Sequence, residues 1–463
     1  MSRARGSVAC AAGLAVLALA LGLLLGPSDM PCLSLLRHGD ALAANLERTA
    51  AAAAYEEAAS YCPREPQPYL RLAQLYLDWG RMDEALEAID QAQDLGAAPQ
   101  DLAPLRIAAY TALEDWAAVA DQAQQLLDLA PDDLQARHAL ARALVWLGAY
   151  DEAKAQYDLL LGADPADQAA HERLGALLAG YDPGAAGHLS AAGSELAMSL
   201  LGALAEGAAA EDEAYASALL GRALFEHFEW SLAARAFERA LSEVPYYAEA
   251  EAYLGHALDQ LGRVEEADAH LGHALAVSPD SVVGHTLYGL HYDRLGDTEK
   301  ARAEYELAYD LDYTNPSFCV AIGETYAAEG RYVAAEIWLE AAVALHPDDP
   351  VLWEALARFY LDNNIGAAGR AREVAAKLAE LQPAEATAHH LLGWAAFLEG
   401  DHEAARSSLM TALALDPQLA WAHYRLGLLH RAEGERELAA RAFQRAIDLD
   451  TSGEILPLVE KAS

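Results

Sequence analysis

Lysine is nearly missing from this chain: four residues in 463, against 71 Asp and Glu and a formal net charge of −40. A surface this acidic repels phosphate backbones, which argues against a nucleic-acid groove. The charge either keeps an outer face solvated or draws a basic partner into an acidic groove. Aromatic residues make up only 8% and β-branched residues are sparse, so a sheet-built core is not expected. The four cysteines, Cys10, Cys32, Cys62 and Cys319, form no CxxC pair and no zinc-like Cys/His spacing. There is no HExxH, P-loop, GxSxG or GxGxxG. His270 and His273 have helical spacing, but no third ligand is evident beside them. No catalytic, cofactor-binding or metal residues are assigned, and the chain reads as a non-enzyme with no cofactor and no small-molecule substrate.

What is abundant is apolar residues, at 54%, much of it alanine, a strong helix former. The composition implies an all-helical chain with close helix packing. One long uncharged run stands out, from Gly6 to Ser28, with its apolar heart at Val8 to Gly26. That is near the length a helix needs to cross a bilayer. Arg3 and Arg5 precede it and predict a cytosolic N-terminus, with the rest of the chain outside the cytosol. Two readings compete: an uncleaved single-pass anchor at residues 1–28, or a cleaved signal that leaves a secreted or periplasmic protein. The small-x-small candidates Ala18-Leu19-Ala20 and Ala20-Leu21-Gly22 lie inside the run rather than after it, which favours the anchor. Neither Cys10 nor Cys32 resembles a lipoprotein attachment site.

A fixed period organises the remainder. Gly221, Gly255, Gly289, Gly323 and Ala357 follow one another by 34 residues, then Gly393 by 36 and Gly427 by 34. Gly39, Ala73, Ile107, Ala141 and Gly175 are also 34 apart, and only the step from Gly175 to Gly221, at 46, breaks the register. Around most marks recur a preceding Leu, as in Leu392-Gly393 and Leu426-Gly427, and an alanine twelve residues on with a large apolar residue four later. Ala233 with Phe237, Ala301 with Tyr305 and Ala439 with Phe443 are examples, and prolines such as Pro245, Pro279, Pro383 and Pro417 close the units.

This pattern resembles the tetratricopeptide-repeat (TPR) family. The resemblance covers about twelve units from Cys32 to Gly453 and implies an all-α, right-handed superhelical solenoid of helix-turn-helix repeats, preceded by one hydrophobic N-terminal helix. Each unit is an antiparallel helix pair. A small residue at position eight lets the first helix approach the second, glycines such as Gly262 and Gly296 end the first helix, and proline stops the second. One unit cannot bury its own apolar face, so neighbours stack. Repeats are expected to start near 32, 66, 100, 134 and 168 in an N-terminal array (29–181), and near 214, 248, 282, 316, 350, 386 and 420 in a C-terminal array (214–453). A tail follows at 454–463. Ile107 in a small-residue slot, after Arg106, predicts a distorted unit. The Ala/Gly-rich stretch 182–213 reads as an irregular insertion, either a lengthened connection or an enlarged second helix, and a possible bend between two arms. The two extra residues near Asn363-Asn364-Ile365-Gly366 read as a longer turn.

The resemblance implies that first helices line a concave groove through positions 2, 5, 9 and 12. These are Trp394, Phe397, Trp421 and Tyr424 in the last two units, and Arg358, Glu354, Glu324, Asp293, His256, Asp259, Arg222 and Phe225 further in. Groove aromatics suit a peptide or helix ligand; alternatively the terminal ones pack against the tail Ile455 to Val459. His171, His285, His389 and His423 take position four, where the family often has Trp, and Cys319 there looks like core. The lysine- and asparagine-based carboxylate clamp of some relatives is missing. Cys32 opens the first helix of the first unit and Cys62 closes its second, so the two are neighbours, either disulfide-bonded in an oxidising space or unpaired. The functional expectation is an anchored, extracytoplasmic scaffold that binds proteins or peptides in its groove. The alternatives are a permanent structural or accessory subunit of a membrane or envelope complex, or a regulatory arm for a separate envelope enzyme.

Overall fold

Glycine opposite an aromatic ring sets the basic unit. In the pair Val282–Arg294 and Thr298–Leu311, a Cβ on Gly289 would lie 2.4 Å from the Tyr305 ring. In the pair Glu213–Glu226 and Trp230–Glu243, the same holds for Gly221 against Phe237 at 2.6 Å. The missing side chain lets the two helices close until the ring is fully covered, and burying such a ring stabilises the pair by about 2–3 kcal/mol. Leucine against glycine repeats the device at Gly255 with Leu271 and Gly393 with Leu409.

The computed structural model describes residues 29–365 and 369–462. The apolar run Val8–Gly26, with Arg3, Arg5 and Cys10, lies outside the described residues, as does Gly366. Among the described residues there are 26 helices and no strand. Twenty-four of them form twelve successive antiparallel hairpins, from Asp29–Ala44 with Arg48–Tyr61 to Ala420–Ala432 with Arg436–Leu449. No described helix is long and apolar enough to cross a membrane.

One of the two helices outside the hairpins explains the break in period. The stretch 182–213 is helical rather than irregular. Its first helix, Ala185–Ala192, is a short second helix for Gln168–Leu178, with Leu189 against Gly175. Its other helix, Glu195–Ala210, is an additional single helix packed on Glu213–Glu226. Gly193 at φ +64° ends the former, and the Ser194 hydroxyl caps the latter by accepting from Ala197 N at 3.1 Å. The last helix, Ile455–Ala462, buries Ile455 and Val459 against the final hairpin.

The chain divides into two compact units, one holding the described residues up to Leu129 together with those from Pro417, the other Ala130–Asp416. The divisions fall between hairpins, and 182–213 lies wholly inside the second unit instead of separating two arms. In the first unit the helix Pro99–Ala112 runs through Pro104 unbroken, with Ile107 half-buried and Ala109 fully buried. This unit is built from both ends of the sequence. The helix Arg48–Tyr61 meets Arg436–Leu449, and Asp448 accepts from Thr49 N at 2.9 Å and Thr49 Oγ1 at 2.6 Å.

Candidate partner-binding groove

In the second unit, successive first helices touch one another whereas successive second helices barely do, so the stack curves with the first helices inside. Position four of these helices carries a fixed hydrogen bond. His285, His389 and Trp353 each direct a ring nitrogen at the carbonyl of the proline six residues earlier, at 2.9, 2.9 and 2.8 Å. In the first unit His423 does the same toward Pro417 at 3.0 Å. An imidazole Nε2–H and an indole N–H reach the same acceptor, which is why histidine replaces tryptophan in this slot. Cys319 is fully buried, and burial pushes its thiol up.

The groove residues fall into three chemical kinds. Arg358 and Glu354 neutralise each other at 2.7 Å, one turn apart. His256 belongs to an aromatic cluster, with ring centres 5.3 Å from Phe225 and 5.9 Å from Trp230, and Phe225 lies 5.0 Å from Tyr253. Burial pushes the His256 imidazole below its ordinary range. Next to it Asp259, almost fully buried, accepts from His291 Nδ1 at 2.9 Å and from Arg294 Nε at 2.8 Å. The third kind is uncompensated charge. Asp293 accepts only the Tyr305 hydroxyl, at 2.6 Å, and no Lys or Arg among the described residues pairs with Asp293 or Glu324. Both carboxyls are held above the usual carboxylate range, chiefly by the surrounding protein and, for Glu324, also by Asp293. Solvent reaches both, yet the concave face crowds them with protein enough to weaken their hydration.

The terminal aromatics separate. Trp394 and Phe397 stack at 5.2 Å in the second unit, with Phe397 continuing onto His402 at 5.8 Å, and both are half-buried. Trp421 and Tyr424 belong to the first unit. Tyr424 is buried, its ring 5.8 Å from Phe443, and therefore serves as core rather than groove surface.

Tetratricopeptide-repeat models match residues 36–101, 224–289, 294–359, 386–419 and 422–452, together more than half of the chain. The chain belongs to the tetratricopeptide-repeat family. Among solved structures, this TPR chain is similar to the APC/C hetero-tetramer Cut9–Hcn1, with 18% identity over 95% of this chain and 97% of that one and a TM-score of 0.41. It is also similar to yeast Tom70, with 17% identity over 94% and 96% and a TM-score of 0.41. YrrB, a TPR protein with an unusual peptide-binding site, is 20% identical over 41% of this chain and 97% of its own, with a TM-score of 0.32. No curated protein matches. The family supports a protein-interaction scaffold as the broad function; TPR proteins are typically non-enzymatic.

Three features of this TPR array bear on other chemistry. Cys32 and Cys62 are joined by a disulfide, with Cα atoms 6.1 Å apart, across the open end of the first hairpin. His270 and His273 do have a carboxylate between them: buried Glu251, at position four of the facing helix, accepts from both at 2.5 and 2.7 Å. His430, Glu433 and Glu435 place possible ligand atoms within 4.8 Å of one another at the end of Ala420–Ala432. There His430 Nδ1 already lies 2.6 Å from Glu435.

Proposed function

We propose that this chain is a membrane-anchored, extracytoplasmic TPR scaffold that holds partner proteins along the inner face of its first helices. The observation that supports it best is the groove of the second unit. Aromatic side chains and carboxylates without a cation among the described residues lie together on one curved face, an apolar anchor beside a negative field. Anchoring is supported by the sequence Val8–Gly26 behind Arg3 and Arg5. The extracytoplasmic side is supported by the Cys32–Cys62 disulfide, since such bonds persist in oxidising spaces.

Site-specific photocrosslinking in native membranes tests the groove. A crosslinker at Ala321 or Glu324, on a first helix, should capture a discrete partner, whereas one at Val333 or Ile337, exposed on the following second helix, should not. Equal capture from both faces would remove the groove from the function. Protease accessibility of intact and permeabilised cells, read with alkaline extraction, tests the placement. Full release by alkali, or protection that depends on the cytosolic side, would overturn the anchored extracytoplasmic reading.

A further inference from the structure

The turn inside a TPR hairpin needs one residue in the left-handed region, and here it is usually glycine: Gly262, Gly296, Gly330, Gly400 and Gly434 all have φ between +73° and +81°. Four hairpins depart from this, with Leu46, Glu114, Phe228 and Asn364 in the left-handed region, and that of Glu213–Glu226 and Trp230–Glu243 is the one that places an aromatic ring there. Phe228 occupies the left-handed position at φ +60° and is 70% exposed. An L-residue is strained there, and glycine would avoid the strain. Burial does not offset the cost, because most of the ring remains in water. The strain is common to these four turns; what sets Phe228 apart is a large apolar ring held in water.

Phe228 is the exposed edge of a larger surface. Its ring meets Trp230 edge-on at 5.5 Å, Trp230 meets Phe225 at 5.2 Å, and Phe225 continues to Tyr253 and His256. Within this cluster His256 Nδ1 is buried and finds no hydrogen-bond partner among the described residues. The first helices carry the surface on through Asp259 and Arg294 to Asp293 and Glu324. Along the way several carboxylates have cations: Glu229 has Arg173, Glu249 has Arg222 and Asp259 has Arg294. Asp293 and Glu324, which lie close to each other, have none among the described residues, and neither does Glu226 beside Tyr253. An apolar anchor and an unmet demand for positive charge therefore share one face of a chain whose net charge is −40.

We propose that the groove's partner is a basic peptide segment, setting a large apolar side chain against Phe228, Trp230 and Phe225 and a lysine or arginine on Asp293 and Glu324. This rests on the groove reading above and names the chemistry of its ligand. Desolvated aromatic anchors dominate peptide affinity, while the carboxylates select the sign of charge and make binding salt-dependent.

The test uses the full chain and dye-labelled synthetic peptides of about a dozen residues, followed by fluorescence anisotropy. One peptide carries a leucine and two lysines, a second has glutamates for the lysines, and a third has serine for the leucine. The first should bind saturably, and each of the others more weakly by about tenfold or more. Asp293→Asn/Glu324→Gln should erase the preference for lysine over glutamate and flatten the salt dependence. Phe228→Gly should erase the preference for leucine over serine with no loss of melting temperature, because glycine relaxes the turn; a binding loss in that variant is then not a folding loss. Equal binding of the lysine and glutamate peptides, or preferences unchanged in both variants, would overturn the proposal. Absence of saturable binding by the lysine–leucine peptide would overturn the ligand class while leaving the photocrosslinking result to decide whether the groove binds anything.

Discussion

Asp448 and Glu324 are acidic side chains on helices of the same molecule, and the fold treats them oppositely. Asp448 is answered from within the chain. It takes the backbone N–H and hydroxyl of Thr49, so a residue from the last repeat caps a helix of the first. Arg48 returns the favour by donating to the Asp448 and Asp78 carbonyls, each at 3.0 Å, and the Trp79 indole donates to Ile447 O at 3.3 Å. Arg445 donates to Leu46 O at 2.9 Å. Helix ends leave orphan donors and acceptors, and here the two ends of the sequence satisfy each other's. Glu324 and its neighbour Asp293 receive no cation among the described residues. A carboxylate satisfied internally holds structure together; one left with weakened hydration and no counter-charge stores affinity for something else.

The sharpest way to weaken the satisfied side is the Cys32→Ser/Cys62→Ser pair. Opening a loop of this size removes about 3 kcal/mol. The loss should appear in denaturant unfolding as a lower midpoint for the first unit, with the peptide preferences of the second unit unchanged. Next comes Asp448→Ala, which strands the Thr49 donors and should cost about 2 kcal/mol. Hydrogen exchange should rise at residues 47–51 and 445–450 and stay slow at the second unit's core, around Tyr305 and Leu339. Uniform loss of protection would mean that the seam is not a separate feature. Gly289→Ala should cost about 1 kcal/mol net, because the clash with Tyr305 outweighs the helix propensity gained. A rise in melting temperature would deny that the close approach matters.

The hairpins were legible in the sequence because each depends on local partners. A small residue and the large one sixteen positions later, as in Gly289 and Tyr305, recur at 34 and leave their mark on most units. The seam was not legible. Thr49 and Asp448 lie 399 residues apart, and a solenoid read as nearest-neighbour contacts gives no reason to join them. For 182–213 the sequence left a lengthened connection and an enlarged second helix open; the separate helix Glu195–Ala210 was not foreseen, although Ser194 before Glu195 is a capping signal. Phe228 left only a gap in the series of turn glycines, as Leu46, Glu114 and Asn364 did. Glu251 was hidden because its two histidine partners come from the other helix of the hairpin.

The smallest effect is also the most direct reading of the comparison. In Asp293→Asn/Glu324→Gln the carboxylates that the fold serves poorly are gone, so the protein should melt slightly higher at neutral pH even as its charge selectivity disappears. The sign with pH follows from the direction of the shifts. Both carboxyls are raised in the folded chain, so their ionised forms disfavour folding, and the wild type is relieved as pH falls through those raised values. The stability advantage of the variant should therefore be largest at neutral pH, shrink on acidification, and vanish once pH passes below the ordinary carboxylate range near about 4. Adding the lysine–leucine peptide should reverse the order at neutral pH, stabilising the wild type and not the variant. A variant less stable than wild type without peptide would mean that Asp293 and Glu324, like Asp448, are already satisfied by the fold.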